Sequence, residues 1–235
     1  MSIFKADFQI RYSDVNYKNE ISTATIMSFF QEMGCLHSQA VGMGLNQKQY
    51  SWLLMQSKLE VYKRPTWNEQ ITVHTWATGK EGPYCFRDFE MYNSKKELLA
   101  IGSSKWILVE IETQKIIKMT DEISNVYEPE NKKVFVEKLT KLKEPETFEM
   151  THTCTVQRKD IDTNQHMNNI KYIELAYETL PQDIYEEADL TKIEVSYKHA
   201  SKLGDTLNCY YHKDGQTHYV TIKNNNEISA IVKLS

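Results

Sequence analysis

The chain has 235 residues, 26% of them charged, and a formal net charge of −4 at pH 7. That length suits one large domain or two small ones; the apolar share can build a core, and the acidic balance argues against a general nucleic-acid binder. The longest apolar runs are only a few residues, too short to cross a bilayer, so no membrane insertion is expected, and the opening "MSIFKADFQIRYSD" lacks the profile of a secretory signal.

Four widely spaced cysteines (Cys35, Cys85, Cys154, Cys209), with no CxxC, read as free thiols of a reducing cytosol. The seven histidines show no HExxH or paired ligand spacing, so no metal is expected. There is no P-loop, no GxGxxG and no GxSxG, so no cofactor is expected either.

In chain order, the first clear helix is "STATIMSFFQEMGCLHSQAVG". Ser22 is its candidate N-cap, and Ile26, Phe30 and Met33 form one apolar stripe, with Phe29, Leu36 and Ala40 beside it. Gly42 and Gly44 end it. Strand signals follow in "QITVHTWATG", "YCFRDFEMYN" and "SSKWILVEIET". Helix first, then long antiparallel strands, points to an α+β fold. Trp52, Trp67, Trp76 and Trp106 are expected in the core rather than stacked on a cofactor. Residues 128–149, "EPENKKVFVEKLTKLKEPETFE", are rich in charge and bracketed by prolines. They read as a connector between a first domain, 1–127, and a second, 150–235, partly helical or simply a solvated charged face.

The second half opens on the strand "THTCTVQRKDI". The motif "DIDTNQHMNN" follows, then the helix "NIKYIELAYETL", stopped by Pro181. Four strands close the chain, at about 192–198, 205–212, 217–223 and 227–234, with turns at Asp214-Gly215 and at Asn224 to Asn226. The halves look alike. A shift of 148 lays Asp14 on Asp162, Asn16 on Asn164 and Lys18 on His166. "LEVYKRP" (59–65) likewise resembles "IEVSYKH" (193–199). A duplicated domain with one histidine-bearing copy is the expectation.

Two readings of the motif stand. Asp, Asn and His favour turns because their side chains bond local backbone. The same residues also suit chemistry. His166 can move a proton near neutral pH, Asn164 can hold a carbonyl or a water, and Asp162 can orient the histidine. Asn168 and Asn169 open a helix whose exposed N–H groups can stabilise an oxyanion. They are therefore candidate substrate contacts. Together these groups fit hydrolysis of an activated carbonyl without a metal.

"DIDTNQHMNNIKYIE" closely resembles the D-x-N-x-H-x-N-N-x-x-Y segment of fatty acyl–acyl carrier protein thioesterases, and "RYSDVNYKNEISTATIMSFFQEMG", "WLLMQSKLEVYKRPTWNEQITVHTW" and "SSKWILVEIET" share that family's order and character. The resemblance implies two tandem hotdog domains, each an antiparallel sheet wrapped around a central helix. It implies hydrolysis of a fatty acyl thioester on the phosphopantetheine arm of an acyl carrier protein, with Asp162, Asn164 and His166 as catalytic residues. It also implies an acyl pocket around Met27, Phe30 and Met33. Family carriers are acidic, so Lys58, Lys63, Arg64, Lys198 and Lys202 are candidate docking residues. One departure is visible: the family's "Y-x-x-E" reads Tyr197 to Ala200 here, with Ser201 next. Glu194 and Ala200 would share a strand face, with His199 on the other, so Asp162 is the best remaining carboxylate. An acyl-CoA thioesterase, or a non-catalytic sensor of acyl thioesters, is the alternative. The sequence fixes neither chain length nor oligomeric state, a homodimer included.

Overall fold

The computed structural model describes residues 2–44, 49–113 and 115–235. The chain forms two compact units, Met1–Leu139 and Thr140–Ser235.

In the first unit, five antiparallel strands are β1 (Phe4–Gln9), β2 (Tyr50–Val61), β3 (Gln70–Glu81), β4 (Tyr84–Asn93) and β5 (Leu98–Glu110). Their order across the sheet is β1-β3-β4-β5-β2. Helix α1 (Thr23–Ala40) packs on β3 and β1. Ser22 caps it, its hydroxyl accepting the Thr25 N–H at 3.0 Å. Gly42, at φ +78°, turns the chain away after the C-cap Val41. The expected stripe of Ile26, Phe30 and Met33 is buried, whereas Phe29 and Leu36 are half-buried and Ala40 is exposed. Phe30 stacks on Phe89 with centroids 4.8 Å apart. Gly102 makes room for it, since a Cβ there would stand 2.5 Å from the Phe30 ring.

Deeper in that core lies a charge. The Arg87 guanidinium is 7% exposed. It donates to Thr75 Oγ1 at 3.1 Å and lies 2.9 Å from His37 Nδ1. It also sits over the Tyr127 ring, 5.4 Å from the centroid. Burial pushes it down to about 10, so it stays charged at neutral pH. His37 must then offer Arg87 a lone pair. Burial first, and Arg87 second, push His37 down to about 4, which keeps the ring neutral.

The charged segment expected as a connector is not helical over residues 128–148. Its first part lies over the outer face of the first unit. Glu130 N–H donates to the Ala77 carbonyl, Val134 N–H donates to Asp88 Oδ2, and Lys132 pairs with Glu90 at 2.6 Å. Lys132 also covers the Trp76 ring, whose Nε1–H donates to the Lys132 carbonyl. That cover explains how outward-facing Trp76, Asp88 and Glu90 are all buried. Trp76 is indeed core, but Trp67 is 54% exposed, against expectation; it sits in the loop before β3, edge-on to exposed Tyr12. A five-residue helix, α2 (Asp121–Asn125), precedes the segment.

The second unit repeats the plan with β6 (Glu149–Thr155), β7 (Lys192–Tyr197), β8 (Thr206–Asp214), β9 (Thr217–Asn224) and β10 (Glu227–Leu234). Their order is β7-β10-β9-β8-β6, all antiparallel. Helix α3 (Asn169–Thr179) packs on β8, β9, β10 and β6. Pro181 ends it and opens a short helix, α4 (Gln182–Glu187). Gly215 and Asn225, both at positive φ, make the two expected turns. Each unit is thus an antiparallel sheet around a central helix.

The buried His37 makes acid stability testable. Its folded pKa lies below its ordinary value, so its contribution is complete above about pH 6.5 and is lost as pH falls from there toward 4. We expect denaturant unfolding of the wild type to lose on the order of 2 kcal/mol from this source across that window. His37→Gln keeps an acceptor for Arg87 without titrating, and should flatten that limb. Equal acid sensitivity in both proteins would contradict the assignment.

Candidate active site

The motif is a hairpin turn closed by a backbone bridge between Ile161 and Met167. Asp162 N–H donates to the His166 carbonyl at 2.8 Å, and Gln165 N–H donates to the Asp162 carbonyl at 3.0 Å. Gln165 takes φ +61° to complete the turn. Asp162 Oδ1 accepts two backbone N–H groups, from Asn164 at 2.8 Å and His166 at 3.4 Å. Asn168 N–H donates to the Asp160 carbonyl, and Met167 N–H to the Ser201 carbonyl, each at 2.8 Å. Asn168 then caps α3, its side chain accepting the Ile170 N–H at 2.9 Å.

The first unit closes the same turn with the same backbone bonds and one side-chain oxygen. Val15 bridges Ile21, Asn16 N–H donates to the Glu20 carbonyl, and Asn19 N–H to the Asn16 carbonyl with Asn19 at φ +59°. Asn16 Oδ1 accepts from Lys18 N–H at 2.9 Å and Glu20 N–H at 3.2 Å. Ser22 is the cap, and Ile21 N–H donates to the Pro65 carbonyl at 3.0 Å. This bonding corrects the repeat register by two residues. Asn16 answers to Asp162, Lys18 to Asn164, and Glu20, not Lys18, to His166. The later segments slip by two as well. Val61 and Tyr197 each end a strand, and Pro65 answers to Ser201, so Arg64 answers to Ala200.

The comparison separates structure from chemistry. Two backbone donors need one side-chain oxygen, and Asn16 supplies it without charge. The negative charge of Asp162 is therefore surplus to the turn. His166 is half-buried and Asn164 exposed. Among the described residues nothing bonds the His166 ring nitrogens, which leaves them for substrate or water. The N–H groups of Met167, Asn168, Ile170 and Lys171 are all taken, the last by the Asn168 carbonyl. Asn169 N–H, at the positive end of α3, has no partner among the described residues.

The remaining candidates fall elsewhere. Ala200 and His199 are exposed. The expected face alternation does not reach them, because β7 ends at Tyr197 and Lys198 N–H already donates to the Ser229 carbonyl outside the ladder. Glu194 is held by Lys233 at 3.0 Å. Met27, Phe30 and Met33 are buried in the first unit's core. Lys58 lies over Phe135 and 3.7 Å from Glu137. Arg64 donates to the Ile21 carbonyl and Thr23 Oγ1, over the start of α1. Lys63 and Lys202 are exposed and Lys198 is half-buried. Among the described residues no group of three or more His, Cys, Asp or Glu is placed to hold a metal. Tyr172, Ser201 and Ser229 are buried hydroxyls behind the turn; Tyr172 is the motif's last letter, but the bulge at Ser229 leaves no sequence signal.

Comparison with known proteins bears on this site. Residues 1–127 match the family model described as the acyl-ACP thioesterase N-terminal domain, and residues 142–232 match the C-terminal domain. An oleoyl-acyl carrier protein thioesterase of Arabidopsis thaliana is 26% identical over 87% of this chain and 62% of its own length. A palmitoyl-acyl carrier protein thioesterase of Cuphea hookeriana is 28% identical over 83% of this chain and 51% of its length. This chain therefore spans about half to three-fifths of those relatives. Among solved structures, an acyl-ACP thioesterase from Bacteroides thetaiotaomicron matches with TM-score 0.89 at 22% identity, covering 99% of this chain and 97% of that one. The 12:0-ACP thioesterase of Umbellularia californica matches with TM-score 0.84 at 21% identity, covering 100% and 97%. The fold is the double hotdog.

The internal copy predicts how the turn tolerates change. Asp162→Asn should unfold within about 0.5 kcal/mol of wild type, because Asn16 makes the same pair of bonds. Asp162→Ala strips both donors of their acceptor and should cost about 1–2 kcal/mol, as loss of a helix cap does. Equal destabilisation by the two would mean that the charge, not the oxygen, holds the turn.

Proposed function

The chain belongs to the acyl-ACP thioesterase family, and from that premise we propose that it hydrolyses fatty acyl–acyl carrier protein, releasing free fatty acid and ending chain elongation. The observation that carries this reading is the asymmetry of two identically bonded turns. Only the second presents an imidazole, a surplus carboxylate charge and an open helix-start N–H together.

In the proposed reaction His166 takes a proton from the attacking water. Asn164 holds that water or the thioester carbonyl. Asn169 N–H, aided by the helix dipole, stabilises the oxyanion as the carbonyl becomes tetrahedral. Asp162 keeps the His166 backbone in place through Oδ1. Collapse of the intermediate breaks the carbon–sulfur bond, and His166 returns its proton to the leaving thiolate. One carboxylate suffices in this scheme. Ala200 has a separate part. In the first unit Arg64 covers the start of α1; the small Ala200 leaves the start of α3 open.

The carrier is proposed to dock on the second unit through Lys198 and Lys202, which flank Ser201 and so lie beside the motif. An acidic partner suits them. The four free cysteines support work in a reducing compartment such as the cytosol.

Three outcomes test the reading. His166→Ala should lower kcat on acyl-carrier protein by about 10²–10⁴-fold, the usual range for a general base; retained turnover would sink the mechanism. Ala200→Arg copies the first unit and should lower kcat/KM about 10-fold or more by covering the Asn169 N–H; wild-type kinetics would show that the helix start is not used. Raising salt should raise KM, as screening over about 8 Å at physiological ionic strength weakens carrier docking, and Lys198→Ala/Lys202→Ala should blunt that dependence. An unchanged KM from low to high salt would place docking elsewhere.

A further inference from the structure

We propose that Tyr172 and Ser201 are positioning residues that hold the histidine arm of the motif, with Ser229 as their anchor on the sheet. The inference rests on the hydrolase reading above.

All three side chains are buried, at 2%, 0% and 1% exposure. Ser201 N–H donates to the Tyr172 phenol oxygen at 2.9 Å, and that phenol donates back to Ser201 Oγ at 2.9 Å. Ser201 Oγ lies 3.1 Å from Ser229 Oγ. Ser229 stands at a bulge in β10, where the register with β9 shifts between Ile228 and Ala230. Such a bulge re-aims a side chain. The clamp therefore fixes residue 201 between α3 and β10. The carbonyl of that residue receives the Met167 N–H at 2.8 Å, one residue from His166. Burial holds the phenol of Tyr172 above its ordinary range, so it remains a neutral donor.

The first unit serves as the control. Ile26 stands where Tyr172 does, Pro65 where Ser201 does, and Leu99, whose carbonyl accepts Tyr62 N–H, where Ser229 does. All three are buried apolar residues. The Ile21 bond to the Pro65 carbonyl still forms, at 3.0 Å. The hairpin thus needs no hydroxyls to fold; the hydroxyl clamp occurs in the copy that carries the histidine. Ser201 is no nucleophile in this account. Its oxygen is fully enclosed between the Tyr172 hydroxyl and Ser229, with no face toward a substrate.

The experiment uses the whole chain with Tyr172→Phe and, separately, Ser201→Ala. Steady-state kinetics on acyl-carrier protein should show kcat down about 10–100-fold in Tyr172→Phe and less in Ser201→Ala, with KM within about twofold of wild type, since small misplacements cost rate rather than binding. Amide exchange followed by NMR should show the Met167 N–H exchanging at least about 10-fold faster in Tyr172→Phe while the centre of α3 stays protected. Wild-type kcat per folded molecule together with unchanged Met167 protection would overturn the proposal. So would abolished turnover in Ser201→Ala with an acyl group trapped on the wild-type serine, the mark of a nucleophile. If the wild type hydrolyses no acyl-carrier protein, the hydrolase reading fails by itself, and the Met167 exchange rate still decides whether the clamp positions the arm.

Discussion

Each half of this molecule hangs on one side-chain oxygen that accepts two backbone N–H groups across a tight turn. Asp162 Oδ1 does this in the second unit and Asn16 Oδ1 in the first. The bond pair fixes the turn, the bridge behind it leads into the helix, and the helix packs on the strands of its sheet. Everything the site can do follows from what that arrangement leaves over. In the second unit it leaves a carboxylate charge, an imidazole and one N–H at a helix start. In the first it leaves Glu20 at the histidine position, and an arginine over the helix start.

The two units enclose different buried polar groups. The first unit encloses a cation, Arg87, held by a neutral histidine, a threonine hydroxyl and the face of Tyr127. A buried charge is tolerated only with such compensation. The second unit instead encloses three hydroxyls that satisfy one another behind the motif. These are opposite choices at a helix–sheet interface. One is a charge with neutral partners inside a core, and the other a set of neutral hydroxyls behind a loop.

Much of the architecture was legible in the sequence because the amphipathic periods were strong. The stripe of Ile26, Phe30 and Met33 and the cap at Ser22 followed from spacing alone. Strand β1 alternates Phe4, Ala6 and Phe8 with exposed Lys5, Asp7 and Gln9, a short signal beside the stronger helix that follows. The motif stood out as a polar stretch between a strand and a helix, whereas the register of the repeat did not. Laying Asp on Asp and Asn on Asn gave an offset two residues wrong, because the turn demands an oxygen rather than a particular residue type. Asn16 therefore stands opposite Asp162. The burial of Trp76, Asp88 and Glu90 was equally invisible, since it depends on where a distant charged segment lies down. Ser229 could not be found, because a bulge is a property of two paired strands.

The central proposal is that the carboxylate and the imidazole, not the turn, would make the second unit the catalytic one. The most direct measurement converts the second turn into the first with the double substitution Asp162→Asn and His166→Glu, and follows both unfolding and turnover of acyl-carrier protein. The account predicts a folded protein of near wild-type stability that still binds the carrier and has lost turnover by at least about 10²-fold. Turnover within a few-fold of wild type would contradict it.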